Sequence, residues 1–488
     1  MNLRAIVIGS GVGGLAVAIR LARLGCRVDI YEQAGQVGGK IRELRQDGFR
    51  FDTGPSLFTL PHLVDELLDE DLRFTYRRLD VVTKYFYEDG TQIQAFADVH
   101  QFADEIEQKT VVPASKVLSY LKHAALIYRL TTPIFIFNSF HRLSKLLTWR
   151  NLWRALQFLR LKTFSSLHKV NENSFPDERI VQLFDRYATY NGSNPYKTPG
   201  TLSVISHLEH NLGAYFPGNG MYQIVQSLKE QADRLGVSFH FKTPIEKVWL
   251  DGKRLKGVVV NGEKQAVDVV VSDVDIQQFY TNLLPDTRRV SKMEQVEKSS
   301  SALIFYWGMK KSFPQLDLHN IFFSKNYKEE FDCLFEQKTM TDDPTVYVFV
   351  SCKENPDDAP AGMENWFVMV NAPENVEQDW TEFRQQTRKN ILKKLERILG
   401  EKLESQILFE NVLDPVRIEE CTGSFNGSMY GPSSNSPFSA FNRHPNFRRD
   451  IPGLYFVGGS VHPGGGIPLC LSSAKIVGEM VEEKLKKA

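Results

Sequence analysis

Gly9, Gly11 and Gly14 stand at G-x-G-x-x-G spacing, and Glu32 follows eighteen residues after Gly14. These residue types in that pattern suit dinucleotide binding. Gly9 permits a tight turn, Gly11 lets a pyrophosphate approach the backbone, and Gly14 lets a helix pack close to a strand. Val12 and Gly13 supply amides at the helix N-terminus, where free N–H groups and a partial positive charge favour phosphate. The Glu32 carboxylate can accept hydrogen bonds from ribose hydroxyls.

Two further groups extend this chemistry. Val37-Gly38-Gly39-Lys40 is followed by Asp52-Thr53-Gly54-Pro55-Ser56-Leu57. The paired glycines, Gly39 included, let the chain pass close to a cofactor, and Lys40 carries the charge to meet a phosphate. The turn at Gly54, Pro55, Ser56 and Leu57 offers backbone to lie over an isoalloxazine ring. Asp52 reads as a turn residue. Enzymes using NAD do not need this extra segment, so the cofactor reads as FAD. Near the C-terminus, Gly458-Gly459-Ser460 leads through His462 to Gly466-Ile467-Pro468 and a helix. This second glycine turn would face the flavin ring or ribityl chain. His462 is the one titratable side chain in it, so it is the candidate to take a proton or stabilise reduced flavin; capping the next turn is its alternative role. His207 and His210 flank Glu209, but with no third ligand in view no metal site is expected.

These residues need elements to hold them. An apolar strand at residues 5–8, a helix at 15–24 and a strand at 28–31 make one βαβ unit around the first glycine turn. Alternating strands over residues 237–248, 258–260 and 267–273 read as a small accompanying sheet, with Val248 the candidate for a backbone contact to adenine. The spacing predicts an α/β fold in which the cofactor domain is assembled from segments 1–80, 218–290 and 440–488. Segments 81–217 and 291–439 would form a substrate and membrane-associating domain.

The chain has 488 residues, more than one ordinary core accommodates. Its 59 Lys and Arg balance 59 Asp and Glu, which argues against general nucleic-acid binding. Cys26, Cys333, Cys352, Cys421 and Cys470 are scattered without C-x-x-C, which suits a reducing cytoplasm. Neither a signal peptide nor a transmembrane helix is expected. Residues 108–170 contain no Asp or Glu but eleven Lys or Arg. Within them Trp149, Leu152, Trp153, Leu156 and Leu159 share one helical face, and Arg150 and Arg154 lie opposite. A basic, Trp-bearing amphipathic segment, here residues 142–162, reads as a helix lying on a membrane surface; a core-packed helix with a solvated basic face is the alternative. That reading places the protein on the inner face of the membrane, peripheral and cytoplasmic.

Further runs complete a resemblance: Tyr190-Asn191-Gly192-Ser193-Asn194-Pro195, Ser272-Asp273-Val274-Asp275, His319-Asn320-Ile321-Phe322-Phe323, Gly427-Ser428-Met429-Tyr430-Gly431 and His462-Pro463-Gly464-Gly465-Gly466-Ile467-Pro468. Over its whole length the chain resembles the bacterial carotenoid desaturases, FAD-dependent oxidoreductases of the phytoene-desaturase type. The resemblance implies a Rossmann-type FAD-binding domain, glutathione-reductase- and amine-oxidase-like, with an α+β substrate domain. It also implies desaturation of a carotenoid by hydride loss to flavin and proton loss from the neighbouring carbon, with oxygen or quinone as electron acceptor. The run from Gly54 to Pro61, with Leu57-Phe58 after the turn, is more similar to 1-hydroxycarotenoid 3,4-desaturases. The implied reaction is therefore insertion of a C-3,4 double bond. A phytoene-type enzyme acting on another bond, or a carotenoid isomerase or saturase, would use the same scaffold.

Overall fold

A computed structural model describes residues 3–139, 141–142, 153, 157 and 165–487. Strand β1 (Arg4–Ile8) enters the glycine turn and helix α1 (Val12–Arg23) leaves it. Strand β2 (Arg27–Tyr31) then pairs parallel to β1, with Ile8 opposite Tyr31. The helix forms without a side-chain cap at Gly11. Its apolar run is buried nearly all round, from Val12 to Ile19 and at Leu21, so packing rather than capping holds it. Arg20 and Arg23 occupy its last turn, where cations favour the negative end of the helix dipole.

Five parallel strands make the central sheet, in the order Leu454–Phe456, Val269–Ser272, β1, β2, Ser238–His240. Its strands come from both ends and the middle of the chain, and all lie within residues 1–80, 218–290 and 440–488. The C-terminal helix Ile467–Leu485 packs against α1. Gly478 permits the approach, since a Cβ there would lie 3.2 Å from Arg20 Cβ. The strands Lys247–Asp251, Arg254–Val260 and Glu263–Ala266 form a small antiparallel sheet beside it.

The second large layer is a seven-stranded sheet, ordered Ile407–Leu413, Ser301–Met309, Glu364–Ala372, Val346–Phe349, His319–Phe322, Val81–Phe86, Gln92–Phe96. Neighbours are antiparallel except His319–Phe322 against Val81–Phe86. Both faces are covered. One carries a helical layer packed through Phe102, Ile106, Leu121 and Phe184. The other packs Trp307, Trp366, Ile391 and Leu395. The two indoles lie fully buried, and their Nε1–H groups donate to Glu410 and Glu364 at 2.7 and 2.8 Å. A buried indole without such a partner would leave a costly unmade hydrogen bond.

Candidate active site

One cavity of about 750 Å³ runs between the two sheets. Gly9, Gly11, Val12, Gly13, Glu32, Gly39, Lys40, Gly54, Pro55, Ser56 and Leu57 line it, joined by Gly459, Gly466, Ile467 and Pro468 from the C-terminal segment. Sequence segments more than 400 residues apart thus share one wall. The glycines make this possible locally. Gly38 N–H donates to the Ser10 carbonyl, and a Cβ at Gly39 would lie 3.4 Å from Gly11 Cα, so the two turns stack on each other. A Cβ at Gly54 would lie 2.0 Å from the Lys40 carbonyl oxygen. A Cβ at Gly14 would fall 2.2 Å from the Gly9 carbonyl oxygen, so Gly14 serves helix–strand contact and does not line the cavity.

Glu32 closes β2 with both carboxylate oxygens engaged. Oε2 accepts from Ser10 N–H and Oγ–H at 2.9 and 2.7 Å, and Oε1 accepts from Ala34 N–H at 2.8 Å. Three of the carboxylate's four acceptor sites are thus used, and Oε1 keeps one with which to accept from a ribose. Part of the N-terminus of α1 is already taken by the chain itself, while Val12 and Gly13 line the cavity. Asp273, at the end of the strand beside β1, accepts the Gly14 N–H at 3.0 Å and also engages the Gly11 amide. Burial pushes its carboxyl up to about 7, and the Glu32 charge adds to the effect.

Lys40 departs from its expected direction. Its ammonium donates to the Met429 carbonyl at 2.6 Å and the Ser428 carbonyl at 3.3 Å, tying the Gly38–Lys40 turn to the Gly-Ser-Met-Tyr-Gly run instead of standing free for a phosphate. Burial lowers its pKa, and Asp275 and Asp273 work against that shift. Gly458, Val248 and His462 are not among the lining residues. Val248 sits in a sheet register opposite Val258, and Ile245, three residues earlier, reaches the cavity in its place. The His462 ring lies 3.0 Å from the Asn138 carbonyl oxygen, and burial holds the imidazole neutral with a pKa of about 4. Its position in the glycine-rich loop implies proximity to the flavin, but its ring instead meets the Asn138 carbonyl and the His141 ring. Of the proposed membrane segment, Arg142, Trp153 and Gln157 are described. Trp149, Arg150 and Arg154 lie outside the described residues.

The far end of the cavity was not read from the sequence as a site. Ile304, Ile321, Phe367 and Met369 give it an apolar wall from the seven-stranded sheet. Beside them stand Arg186, Tyr190, His319 and Tyr347. The buried Arg186 guanidinium donates to Tyr85 Oη at 2.6 Å, to Tyr190 Oη at 3.1 Å and to Glu209 Oε1 at 3.1 Å. It sits over the Tyr187 ring at 4.7 Å. Burial raises the Glu209 carboxyl, but Arg186, His210 and the Tyr190 and Tyr187 hydroxyls more than reverse this and hold it low. Glu209 therefore answers Arg186, and His207 bonds Asn211; among the described residues no group of three ligating side chains could hold a metal ion.

The family model for flavin containing amine oxidoreductases matches residues 12–479. The chain belongs to that family. This flavin-containing oxidoreductase uses FAD, and the glycine turns lining one cavity fit that group. It is 44% identical over 482 residues to a 1-hydroxycarotenoid 3,4-desaturase of Flavobacterium sp. (strain P99-3), covering 98% of this chain and 99% of that protein. It is 29% identical to a 4,4'-diapolycopene oxygenase of Methylomonas sp., covering 99% of each. Among solved structures, wild-type putrescine oxidase bound to putrescine aligns with a TM-score of 0.64 at 15% identity over all of both chains. An oxidoreductase from Methanosarcina mazei aligns at 0.66 and 14% identity, covering 98% of this chain and 100% of that one. These two share the fold of the flavin-containing oxidoreductase described here. Among its described residues no helix is long and apolar enough to cross a membrane.

Proposed function

We propose that this protein is a carotenoid 3,4-desaturase acting on a 1-hydroxycarotenoid. The observation that carries the reading is the single cavity that passes from dinucleotide-type glycine turns to an apolar wall at Ile304, Ile321, Phe367 and Met369. The full-length similarity to the Flavobacterium desaturase supports it. In this reading Glu32 and Ile245 would hold the adenosine end of FAD, Gly11, Val12 and Gly13 its diphosphate, and the Gly54–Leu57 turn and the Gly466–Pro468 helix start its ring. Bound there, FAD would supply the acceptor for a hydride from an allylic C–H bond, chemistry that belongs to the cofactor. The chain's own part is orientation and exclusion of water. A polyene cation is acidic at the neighbouring carbon, so no strong base is required. The buried imidazoles accord with this: His319 is held neutral at about 3, and His462 lies outside the cavity.

The test is product analysis with FAD-loaded protein in liposomes, in air and with added quinone. Loss of two hydrogens with a red shift from a 1-hydroxylated carotene supports the reading. Conversion of phytoene instead moves the enzyme to another bond, and an isomer of unchanged mass overturns desaturation.

We infer that the protein works peripherally on the inner membrane face, with oxygen or quinone as acceptor. Trp153, Phe438 and Phe441 are 58%, 61% and 44% exposed, and Phe441 packs against Phe135 at the end of the helix that precedes the basic segment. Each Lys or Arg near an anionic bilayer adds about 1 kcal/mol. Replacing Trp149, Trp153, Arg150 and Arg154 should release the protein from anionic vesicles in a flotation assay; unchanged flotation removes that segment from membrane binding.

A further inference from the structure

A long polyene is almost uniform along its length. An apolar tunnel alone therefore cannot decide which carbon pair stops opposite the flavin. The end of the chain is the feature that differs most, and in a 1-hydroxycarotenoid the carbon that bears the hydroxyl is two carbons from the bond to be made double.

The cavity wall holds a polar chain with one unused end. Ser56 Oγ lies 2.6 Å from Tyr347 Oη, and Tyr347 Oη lies 2.7 Å from His319 Nδ1. All three residues line the cavity. His319 is 3% exposed, and its Nε2 is buried with no hydrogen-bond partner. The imidazole is clamped between rings, stacked on Phe349 at 5.2 Å and 17°. Its strand, His319–Phe322, is fixed on both edges, with His319 opposite Phe349. A phenol is a better donor than a neutral imidazole N–H, so Tyr347 O–H donates to Nδ1 and Ser56 O–H donates to Tyr347. That order leaves the imidazole hydrogen on Nε2. Neutral histidine has one donor and one acceptor nitrogen, and here the donor is the unpartnered one.

We propose that His319, oriented by Tyr347 and Ser56, donates from Nε2 to the terminal hydroxyl of the substrate and so fixes which C–C bond lies against the flavin. This assignment rests on the desaturase reading above. Ser56 then has a double place: its backbone belongs to the turn proposed for the flavin face, and its side chain ends the relay that grips the substrate. The distance between flavin and hydroxyl donor is set within one short chain of contacts. Sites built to bond a hydroxyl reject the analogue lacking it, because their own polar group is left unpaired.

The experiment compares a 1-hydroxylated acyclic carotene with the same polyene carrying hydrogen in place of the hydroxyl. The FAD-loaded enzyme in liposomes is assayed for kcat/KM and product regiochemistry, and dissociation constants are measured anaerobically. Wild type should prefer the hydroxylated polyene by about 10- to 100-fold. His319→Leu and Tyr347→Phe should each collapse that ratio and yield double bonds at more than one position, while His319→Gln, whose amide nitrogen reaches the Nε2 position, restores part of it. Where His319→Leu does not fold, Tyr347→Phe and His319→Gln carry the comparison. An undiminished ratio in Tyr347→Phe and His319→Leu overturns the assignment, as does a loss equal on both polyenes with regiochemistry intact. Equal conversion of both polyenes by wild type also overturns it, yet leaves desaturation standing. Conversion of neither overturns the assignment together with the reading it rests on.

Discussion

At Asp273 the chain sets its own carboxylate against the α1 amides where the proposed FAD diphosphate also binds. The carboxyl sits at about 7, above its ordinary 3.8, because burial and the Glu32 charge disfavour the ionised form. The free protein therefore keeps this proton up to about neutral pH, and above that the cost of holding the group protonated grows as pH rises. Phosphate charge beside it raises the value further, so FAD binding takes up a proton. Affinity should fall as pH rises above 7, approaching about tenfold per pH unit where one proton is taken up. Fluorescence titration of FAD between pH 6 and 9 reads this slope. Asp273→Asn should flatten it, and an unchanged slope in that variant would place the proton elsewhere. A second residue-scale expectation concerns Glu209. Removing it in Glu209→Ala leaves Arg186 buried without its carboxylate, a change that costs about 3–5 kcal/mol. Denaturant unfolding of the apoprotein measures it, and a loss under about 1 kcal/mol would show that the surrounding tyrosines suffice.

Within elements, the βαβ unit was legible because its information is local: an apolar strand, a glycine turn, an unbroken apolar helix and a closing acid lie within one short stretch. The same locality predicts that Gly14→Ala fails. The added Cβ must displace the Gly9 carbonyl, and overpacking of this kind costs about 1–3 kcal/mol. The variant should show a lower unfolding midpoint and weaker FAD retention; wild-type values for both would mean that α1 tilts freely. What stayed illegible was long-range. The Gly14 amide meets a carboxylate 259 positions away, and nothing near Gly14 announces that partner. Asp273 does carry a signal, an acid at the carboxyl end of a strand in an α/β sheet, where ligands gather. Val248 is absent from the cavity lining for a related reason. The alternating pattern located the strand, but which residue faces the cavity depends on how the small sheet docks. The loop holding His462 was recognisable as glycine-rich, yet the direction of one ring within it is a tertiary property. His319 and Tyr347 lie on ordinary buried strands, and only their pairing across the sheet shows them as a site.

For the whole molecule, the cavity belongs to no single segment. Its walls come from the N-terminal turn, the residues after β2, the strand end at Asp273, the face of the seven-stranded sheet at Ile304, and the start of the last helix. Ligand bound to such a site stabilises every segment at once. FAD at a hundred times its dissociation constant should add about 2.7 kcal/mol to the stability of the fold. Thermal unfolding should then shift upward as one transition, with protease protection appearing together at segments near residues 40, 270 and 460. Protection confined to the first of these would mean that the cofactor binds only the βαβ unit.

The contact of α1 with Ile467–Leu485 has a consequence for how the protein is made. The helix that completes the cofactor wall is synthesised more than 400 residues after the first glycine turn. Chains grow at about 5–20 residues per second and fold as their parts emerge. The helix Tyr222–Arg234 can cover part of α1 earlier, but the face that meets Ile467–Leu485 must wait for that helix to be made. A ribosome stalled before the helix Ile467–Leu485 carries a chain whose cofactor wall is incomplete, so full flavin retention should require that helix.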